Sequence, residues 1–516
     1  MQKSCHKLIE AMSTMLQGRD FAVSTLQAVG IGLVGASVLA YNAVIIIYRL
    51  YFDPLSKFPG PKLYAISNLP YLFQDKILGT WVKSTTTIHA KYGPIVRIAP
   101  NRLAMDGSIG WKEIFMRRPN LPEFGKSTEF YGVGKLGIFP VDREDHRRQR
   151  RAMAHAFSAA ALQDQEDYVK GYVDILIQRM QNHAAEGKVV DVTRWYNYLT
   201  FDIIGELAFG EPFGCLKESD YHPLVAMIFG GIRAQARYLF VNSFTLLRPL
   251  IMLMISKEDI RKRNETSATS REKAERRLAL GTDTRKDFMT HILRNNKGGG
   301  MTHEEIIVNA RAFIVAGSET TATALSGFTF HITRTPEVYQ RLVAEIRSSF
   351  ASEGEINMRS TRALPYLLAC IEETLRIFPP ASETPPRISP GCEIAGKFIP
   401  QGTYITVYQW ATYHNPTNFA DPETFIPERW LPEAHPLYDA RFESDNKAAF
   451  KPFSAGPRDC IGKNLAYAEM RLVVARLLWN FDISALPRQD NWESRQRIFI
   501  VSDKGPLMIK LAPRSI

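Results

Sequence analysis

Cysteine is scarce in this chain: five residues among 516, at positions 5, 215, 370, 392 and 460. An odd number with no Cys-x-x-Cys spacing argues against a disulfide framework and against a zinc or iron–sulfur site. A reducing compartment fits that usage. Internal repeats and long Gly/Ser or Pro-rich linkers are also missing, so one large domain behind an N-terminal segment is the simplest organisation. No Gly-x-Gly-x-x-Gly fingerprint is found downstream of residue 48, so a reaction driven by a nicotinamide dinucleotide needs a separate flavoprotein. Continuous basic runs are absent too. The net charge of +11 is dispersed, which does not point to nucleic acid. Two clusters stand out, Arg147 to Arg151 and Arg261 to Arg277. The second is interleaved with Glu265, Glu272 and Glu275 and is expected to be a solvated helix face.

Charge is missing altogether from Phe21 to Tyr48, and so is proline. About 20 apolar residues cross a bilayer core. The run continues into Ile45-Ile46-Ile47-Tyr48 without a small-residue cleavage site, so a retained anchor is expected rather than a signal peptide. The expected organisation is an N-terminal tail (1–20), a transmembrane anchor (21–48), a stiff proline-rich connector around Phe58-Pro59-Gly60-Pro61 (49–62) and a catalytic domain (63–516). Lys3, Lys7 and Arg19 on one side balance Arg49, Lys57 and Lys62 on the other, so flanking charge does not fix orientation.

Within the domain, helical periodicity dominates: Glu144 to Ala156, Gln165 to His183, Thr302 to Thr333, Pro336 to Phe350, Pro365 to Ile377 and Gly462 to Asn480. Hairpins are expected for Ile95–Ile98 with Leu103–Met105, and for Phe499–Ser502 with Met508–Leu511; Tyr404–Val407 is a further strand. The fold class is mostly α with small β-sheets.

The most informative segment is Phe453-Ser454-Ala455-Gly456-Pro457-Arg458-Asp459-Cys460-Ile461-Gly462. It reads as a tight loop entering a helix, with Gly456 and Gly462 permitting close backbone approach. Cys460 stands just before a helix N-terminus and near Arg458, a setting that favours thiolate. A lone thiolate suits an axial haem ligand better than a cluster. Cys215, Cys370 and Cys392 are expected to be small buried hydrophobes. Two decoys are rejected. Gly456 to Lys463 has the wrong spacing for a phosphate loop and Asn464 where a magnesium-binding Ser/Thr belongs. His303-Glu304 begins like a zinc-protease motif, but position 307 is Ile.

This loop resembles that of the cytochrome P-450 family, Phe-x-x-Gly-x-Arg-x-Cys-x-Gly, at every fixed position. The resemblance extends from about Tyr48 to the C-terminus. It looks closest to fungal microsomal members of secondary metabolism, the trichothecene-pathway hydroxylases among them. It implies the cytochrome P-450 fold behind an N-terminal transmembrane helix, with Cys460 as the iron ligand of haem b. Phe453, Gly456, Arg458 and Gly462 then belong to the haem-binding loop. Glu373 and Arg376, at i and i+3 on one helix face, pair with Arg429 of Phe425-Ile426-Pro427-Glu428-Arg429-Trp430 in a structural triad. In Ala316-Gly317-Ser318-Glu319-Thr320, Gly317 with Ala316 is expected to open a notch for dioxygen. Thr320 and Glu319 are expected to organise the water relay that O–O cleavage needs. His146 and Arg150 match a Trp-x-x-x-Arg position, with His replacing Trp. They and Arg387 are expected to hold haem propionates.

The function so implied is a monooxygenase acting on an apolar small molecule, a terpenoid or polyketide of fungal secondary metabolism. Electrons come from NADPH through a separate reductase, with cytochrome b5 as a second donor. Lys447, Lys451, Arg458 and Lys463 are expected to form the basic docking face, and Phe313, Ile314, Val315 and Phe499 to lie near the substrate. The location implied is the endoplasmic reticulum membrane, single-pass, with the domain facing the cytosol. Two alternatives remain: haem-dependent oxidative coupling or isomerisation without net oxygenation, and a non-enzymatic membrane haem protein.

Overall fold

The computed structural model describes residues 2–119, 121–132, 136–244, 249, 257–282, 285–296, 298–499 and 501–514. The tail and anchor expected as separate segments form one helix, Gln2–Ile47, closed by a wide turn at Tyr48–Phe52. Val29–Phe52 is apolar enough to cross a membrane, with a mean hydropathy of 2.0, and none of it is buried against the rest of the chain. Gly30, Gly32 and Gly35 reproduce the dinucleotide glycine spacing inside this run. They lie in mid-helix with nothing within 4 Å of their Cα hydrogens' direction, so they form no phosphate loop.

The connector is not extended throughout: after the turn at Tyr48–Phe52 comes a 3-10 turn at Pro54–Lys57, and only the stretch from Phe58 to Pro61 runs extended, lying on the first strand of the domain. Arg97 N–H donates to Pro59 O at 2.7 Å, and a Cβ on Gly60 would collide with the Arg97 carbonyl. The buried Arg97 guanidinium reaches back to Arg49 O (2.6 Å), Pro100 O (2.8 Å) and Asp53 (3.3 Å). One side chain thereby ties the membrane-proximal turn to the sheet.

The largest sheet has five strands in the order Ile95–Ala99, Arg102–Met105, Tyr404–Val407, Arg387–Ile388 and Gly125–Lys126. The expected first hairpin is there, antiparallel with Ile95 opposite Met105. The expected C-terminal hairpin is not. Arg497–Phe499 instead turns tightly onto Val501–Asp503. Met508–Pro513 lies between Val189–Asp191 and Phe481–Ala485. The reason is local. Lys504 is drawn onto the long central helix, and Leu507 N–H is captured by Asp191 at 3.1 Å, so residues 503–507 lead away instead of closing a turn.

That central helix is His303–Ile332. It opens with a capping box in which the Thr302 side chain and the Glu305 carboxylate satisfy each other's backbone N–H groups. It packs along Val192–Phe209, a helix buried on nearly every side and therefore core. Pro365–Ile377 and Lys463–Asn480 complete the bundle around it. The mixed-charge helix Lys257–Ala279 is solvated as expected, with exposed pairs such as Arg261–Glu265 and Arg271–Glu275. Arg277 is the exception: it is fully buried in a two-pronged bond to Asp287.

Candidate active site

Cys460 follows a single 3-10 turn, Gly456–Arg458, and precedes the helix Lys463–Asn480. Gly456 has φ +76°, and a Cβ there would strike the Phe115 carbonyl, so only glycine fits. Cys460 N–H donates to Phe453 O at 2.9 Å, and the Phe453 ring packs on Tyr467. A Cβ on Gly462 would sit 3.9 Å from the Cys460 sulfur. Among the described residues, Cys215, Cys370 and Cys392 are buried and Cys460 alone is exposed. Desolvation pushes its thiol up; the N–H groups of Gly462 and Lys463 and the cation of Arg150 oppose this. The sequence expectation of a thiolate favoured by Arg458 is thus corrected. The opposing cation is Arg150, and metal coordination is what deprotonates such a thiol.

Arg458 turns away from the sulfur into a second cluster. Its Nε donates to Glu123 at 2.5 Å and its Nη1 is buried without a partner. It is therefore not part of an exposed docking face. Arg387 lies 3.8 Å from the same carboxylate. Lys126 stands beside both arginines, and burial first, then Arg387 and Arg458, push its ammonium down to about 6. His146 is buried, not on a solvated helix face. Burial, then Arg458, Arg150, Lys126 and Arg387, push its imidazole down to about 3, so it is a neutral donor. Arg150 bonds the cysteine loop itself, at Asp459 O (2.5 Å) and Oδ1 (2.6 Å). Two guanidinium groups and Lys126 thus gather about one carboxylate, that of the partly exposed Glu123.

Glu373, Arg376 and Arg429 meet, all with side chains at 0% exposure. Arg376 grips Glu373 through Nε (2.9 Å) and Nη2 (2.8 Å) and reaches the carbonyls of Tyr413, Pro422 and Thr424. Arg429 bonds Glu373 at 3.2 Å and Asp445 at 2.5 Å. Asp445, sixteen residues along an irregular segment, carried no sequence signal.

On the central helix, Thr320 and Ala316 share the side that borders open space. The Thr320 hydroxyl donates to Ala316 O at 2.7 Å, a back-bond to the preceding turn. One and two turns earlier on that stripe, Ala312 and Val308 line a cavity of about 480 Å³ with Phe130, Tyr131, Ile138 and Phe139. Val315 is exposed, whereas Phe313, Ile314 and Phe499 are core. Gly317 has a packing reason: a Cβ there would lie 2.7 Å from Ile204 Cδ1 on the neighbouring helix. Glu319 points to the buried side, where its Oε1 accepts from Lys504 and from Thr323 (3.3 Å). Sequence reasoning missed Lys126, Glu123 and Lys504, isolated charges in short irregular segments with no pattern to mark them.

A helical bundle with an exposed cysteine two residues before a helix N-cap and a cation-rich cradle fits the haem-thiolate class. Comparison with known proteins agrees. The cytochrome P-450 family model matches residues 59–511. The chain is 41% identical, over 93% of its length and 96% of the relative's, to the cytochrome P-450 monooxygenase astJ of Aspergillus oryzae. It is 39% identical over 94% of its length to the trichothecene C-15 hydroxylase of Fusarium sporotrichioides, 98% of which is covered. It is 38% identical over 93% of its length to the averantin hydroxylase of Dothistroma septosporum, 91% of which is covered. The chain belongs to the cytochrome P-450 family, and it is a monooxygenase of the fungal secondary-metabolism type that takes NADPH electrons through a reductase.

The residues present fit haem b. The open Cys460 sulfur offers the axial ligand. The orphaned Arg458 Nη1 and the cations of Lys126 and Arg387 offer what two propionates require.

Proposed function

We propose that the protein hydroxylates or epoxidises a neutral, apolar small molecule of terpenoid or polyketide type. We further propose that it does so anchored in the endoplasmic reticulum membrane with its domain facing the cytosol. Cys460 is the metal ligand. Arg387, Arg458, Lys126 and His146 take the propionates, and Arg150 fixes the cysteine loop through Asp459. Glu373, Arg376 and Arg429 hold the framework beneath. Haem bound on Cys460 supplies the electron-rich iron that activates dioxygen. Thr320, whose proton is engaged with Ala316 O, keeps its oxygen lone pairs towards the open face, where it orders water. Glu319, its neighbour on the buried side, supplies protons to that water. The walls contributed by Phe130, Tyr131, Ile138, Phe139, Val308 and Ala312 exclude bulk water and select an apolar substrate. The named activities of the trichothecene and averantin hydroxylases support that substrate class. Exposed Leu63, Leu69, Phe73 and Leu78 directly follow the span and seat this side of the domain on the lipid. Lys447 and Lys463, both exposed, with Lys451 beside them, form the face for the reductase and for cytochrome b5.

The observation that carries this reading is the single open sulfur of Cys460 at the entrance of a helix beside an unfinished cation cluster. The reduced protein under carbon monoxide should show the strongly red-shifted Soret band of thiolate-bound haem, and Cys460→Ala should abolish it. Persistence of the band in that variant refutes the ligand. Orientation is read at Asn264, the acceptor of an Asn-Glu-Thr glycosylation sequon. It should stay bare, and a glycan there reverses the topology.

A further inference from the structure

Asn309, on the central helix, is a core amide that nothing above requires; it is 1% exposed. Both its N–H groups and its oxygen are engaged, as a buried amide demands. It donates to Gln149 Oε1 and to the Glu305 carbonyl, both at 2.9 Å. Its Oδ1 accepts from the Ile138 N–H at 2.8 Å. A backbone N–H can only donate, so that bond fixes which way the amide points. The far side of the network is complete as well. Gln149 donates to Glu305 Oε1 at 3.1 Å, and Arg148 holds the same carboxylate through two nitrogens at 2.6 and 2.8 Å. Arg148 and Gln149 stand on the helix Arg143–Ala154, which also carries His146 and Arg150. Asn309 therefore ties a rigid two-helix network to a single backbone amide in the segment 136–140. Among the described residues, no other hydrogen bond joins that segment to the central helix.

That segment is a wall of the cavity. Residues 136–140 line it together with Val308 and Ala312 of the central helix. The two walls approach closely. Gly137 has φ +83°, and a Cβ there would lie 2.8 Å from Val308 Cγ1, so glycine permits the contact. It does not hold it. Leu136 and Phe139 are 50% and 45% exposed, and a segment with so little apolar burial opens easily. The bond from Ile138 to Asn309 supplies what burial does not. We propose that Asn309 is a specificity-setting positioning residue: through the Ile138 amide it holds residues 136–140 against the central helix and so limits the size of molecule the cavity admits. The inference rests on the reading of that cavity as the substrate's. Asn309 does not touch the substrate; it acts only through the width between segment and helix. Compact skeletons enter, and bulky branched ones are turned away. Without the Asn309 oxygen the Ile138 N–H is left unpaired, and the segment relieves that by moving outward to water.

Two readouts on the full-length, haem-loaded enzyme test this. Asn309→Ala should speed hydrogen exchange in peptides containing Ile138 by about tenfold or more, the scale of one lost bond to a buried amide. Binding is read from the Soret shift that an azole nitrogen produces on the haem, with compact 1-phenylimidazole and bulky clotrimazole as probes. In Asn309→Ala the affinity for clotrimazole should rise relative to 1-phenylimidazole by about tenfold, a usual scale for a change in pocket fit. A variant that is merely less stable binds both probes worse by the same factor. Gly137→Ala, which pushes the segment off Val308, should move both readouts the same way with Asn309 intact. Unchanged exchange in Asn309→Ala, or faster exchange with an unchanged affinity ratio, overturns the proposal. If Asn309→Ala does not accumulate, Asn309→Ser makes the same comparison, and the carbon monoxide band certifies the fold. Val308→Trp, which fills the cavity, checks the reading beneath and should lose clotrimazole. If it binds both probes as wild type does, ligands sit elsewhere, while the exchange result still decides whether Asn309 holds the segment.

Discussion

Two ionic clusters, one fully buried and one reaching the surface at Glu123, are built on opposite principles. The first joins Arg376 and Arg429 with Glu373 and Asp445, two cations against two anions. Glu373 also accepts from Trp430 Nε1 and Ile426 N–H, both at 2.9 Å. Its members are fully buried and fully bonded, the condition under which buried charges hold a unique core. The second joins Lys126, Arg387 and Arg458 with Glu123 alone. Its imidazole is neutral, its lysine is pushed towards neutrality and one guanidinium nitrogen has no partner. The first cluster is complete in the protein itself. With its lysine protonated the second lacks two negative charges, which two haem propionates would supply. Buried charge that balances marks framework, and buried charge that does not balance marks a ligand site.

The contrast breaks most visibly at Glu373. Glu373→Gln leaves two buried guanidinia against one carboxylate, a loss of about 3–5 kcal/mol by the usual cost of orphaning a buried ion pair. Urea unfolding should show the midpoint collapse, or no haem-loaded protein should accumulate. A midpoint equal to wild type would mean the cluster is not framework. Arg458→Met and Arg387→Met should behave the other way. The haem-free protein should unfold no more easily than wild type, because each variant relieves like-charge crowding. Haem should dissociate about 10–100-fold faster, the usual scale for lost supporting contacts at a metal site. Haem transfer to an acceptor globin reads the rate. If Arg458→Met weakens the haem-free fold as much as Glu373→Gln does, the distinction between the clusters fails.

The framework was legible because its residues sit at helical spacing or in a fixed motif. Glu373 and Arg376 are three apart on one helix, and Cys460 is surrounded by glycines whose need is local: Gly456 must take φ +76° under the Phe115 carbonyl. What could not be read depends on chain crossings. Asp445 reaches Arg429 from an irregular segment, and Lys126 reaches Arg387 through a strand of only two residues. Gly317 was assigned to the oxygen notch from its neighbours, yet its missing side chain answers to Ile204, more than a hundred residues away. The C-terminal hairpin failed for the same reason. Asp503-Lys504-Gly505-Pro506 has turn composition, but Lys504 is held by Glu319 across the fold, and one buried ion pair outweighs a local turn preference.

The finest discrimination between the clusters is a proton. Lys126 ordinarily releases its proton at 10.5; in the folded, haem-free protein it does so at about 6. Between those values the unfolded chain binds one more proton than the folded one, so stability rises with pH across that window. Below about 6 both states are protonated, and the folded protein carries the full repulsion of Arg387 and Arg458. The difference in urea midpoint between wild type and Lys126→Met should therefore narrow as pH climbs from 6 to 8. His146, pushed down to about 3, stays neutral in the folded protein there, and its unfolded-state titration is common to both proteins. Haem reverses the balance, because its propionates restore the lysine's charge. Loading haem at pH 8 should take up a proton at Lys126 while the Cys460 thiol releases one, so the calorimetric binding heat should depend little on the ionisation enthalpy of the buffer. Lys126→Met should instead show net release of about one proton. If wild type and Lys126→Met release the same number of protons, Lys126 does not face the propionates, and the second cluster shrinks to its two arginines.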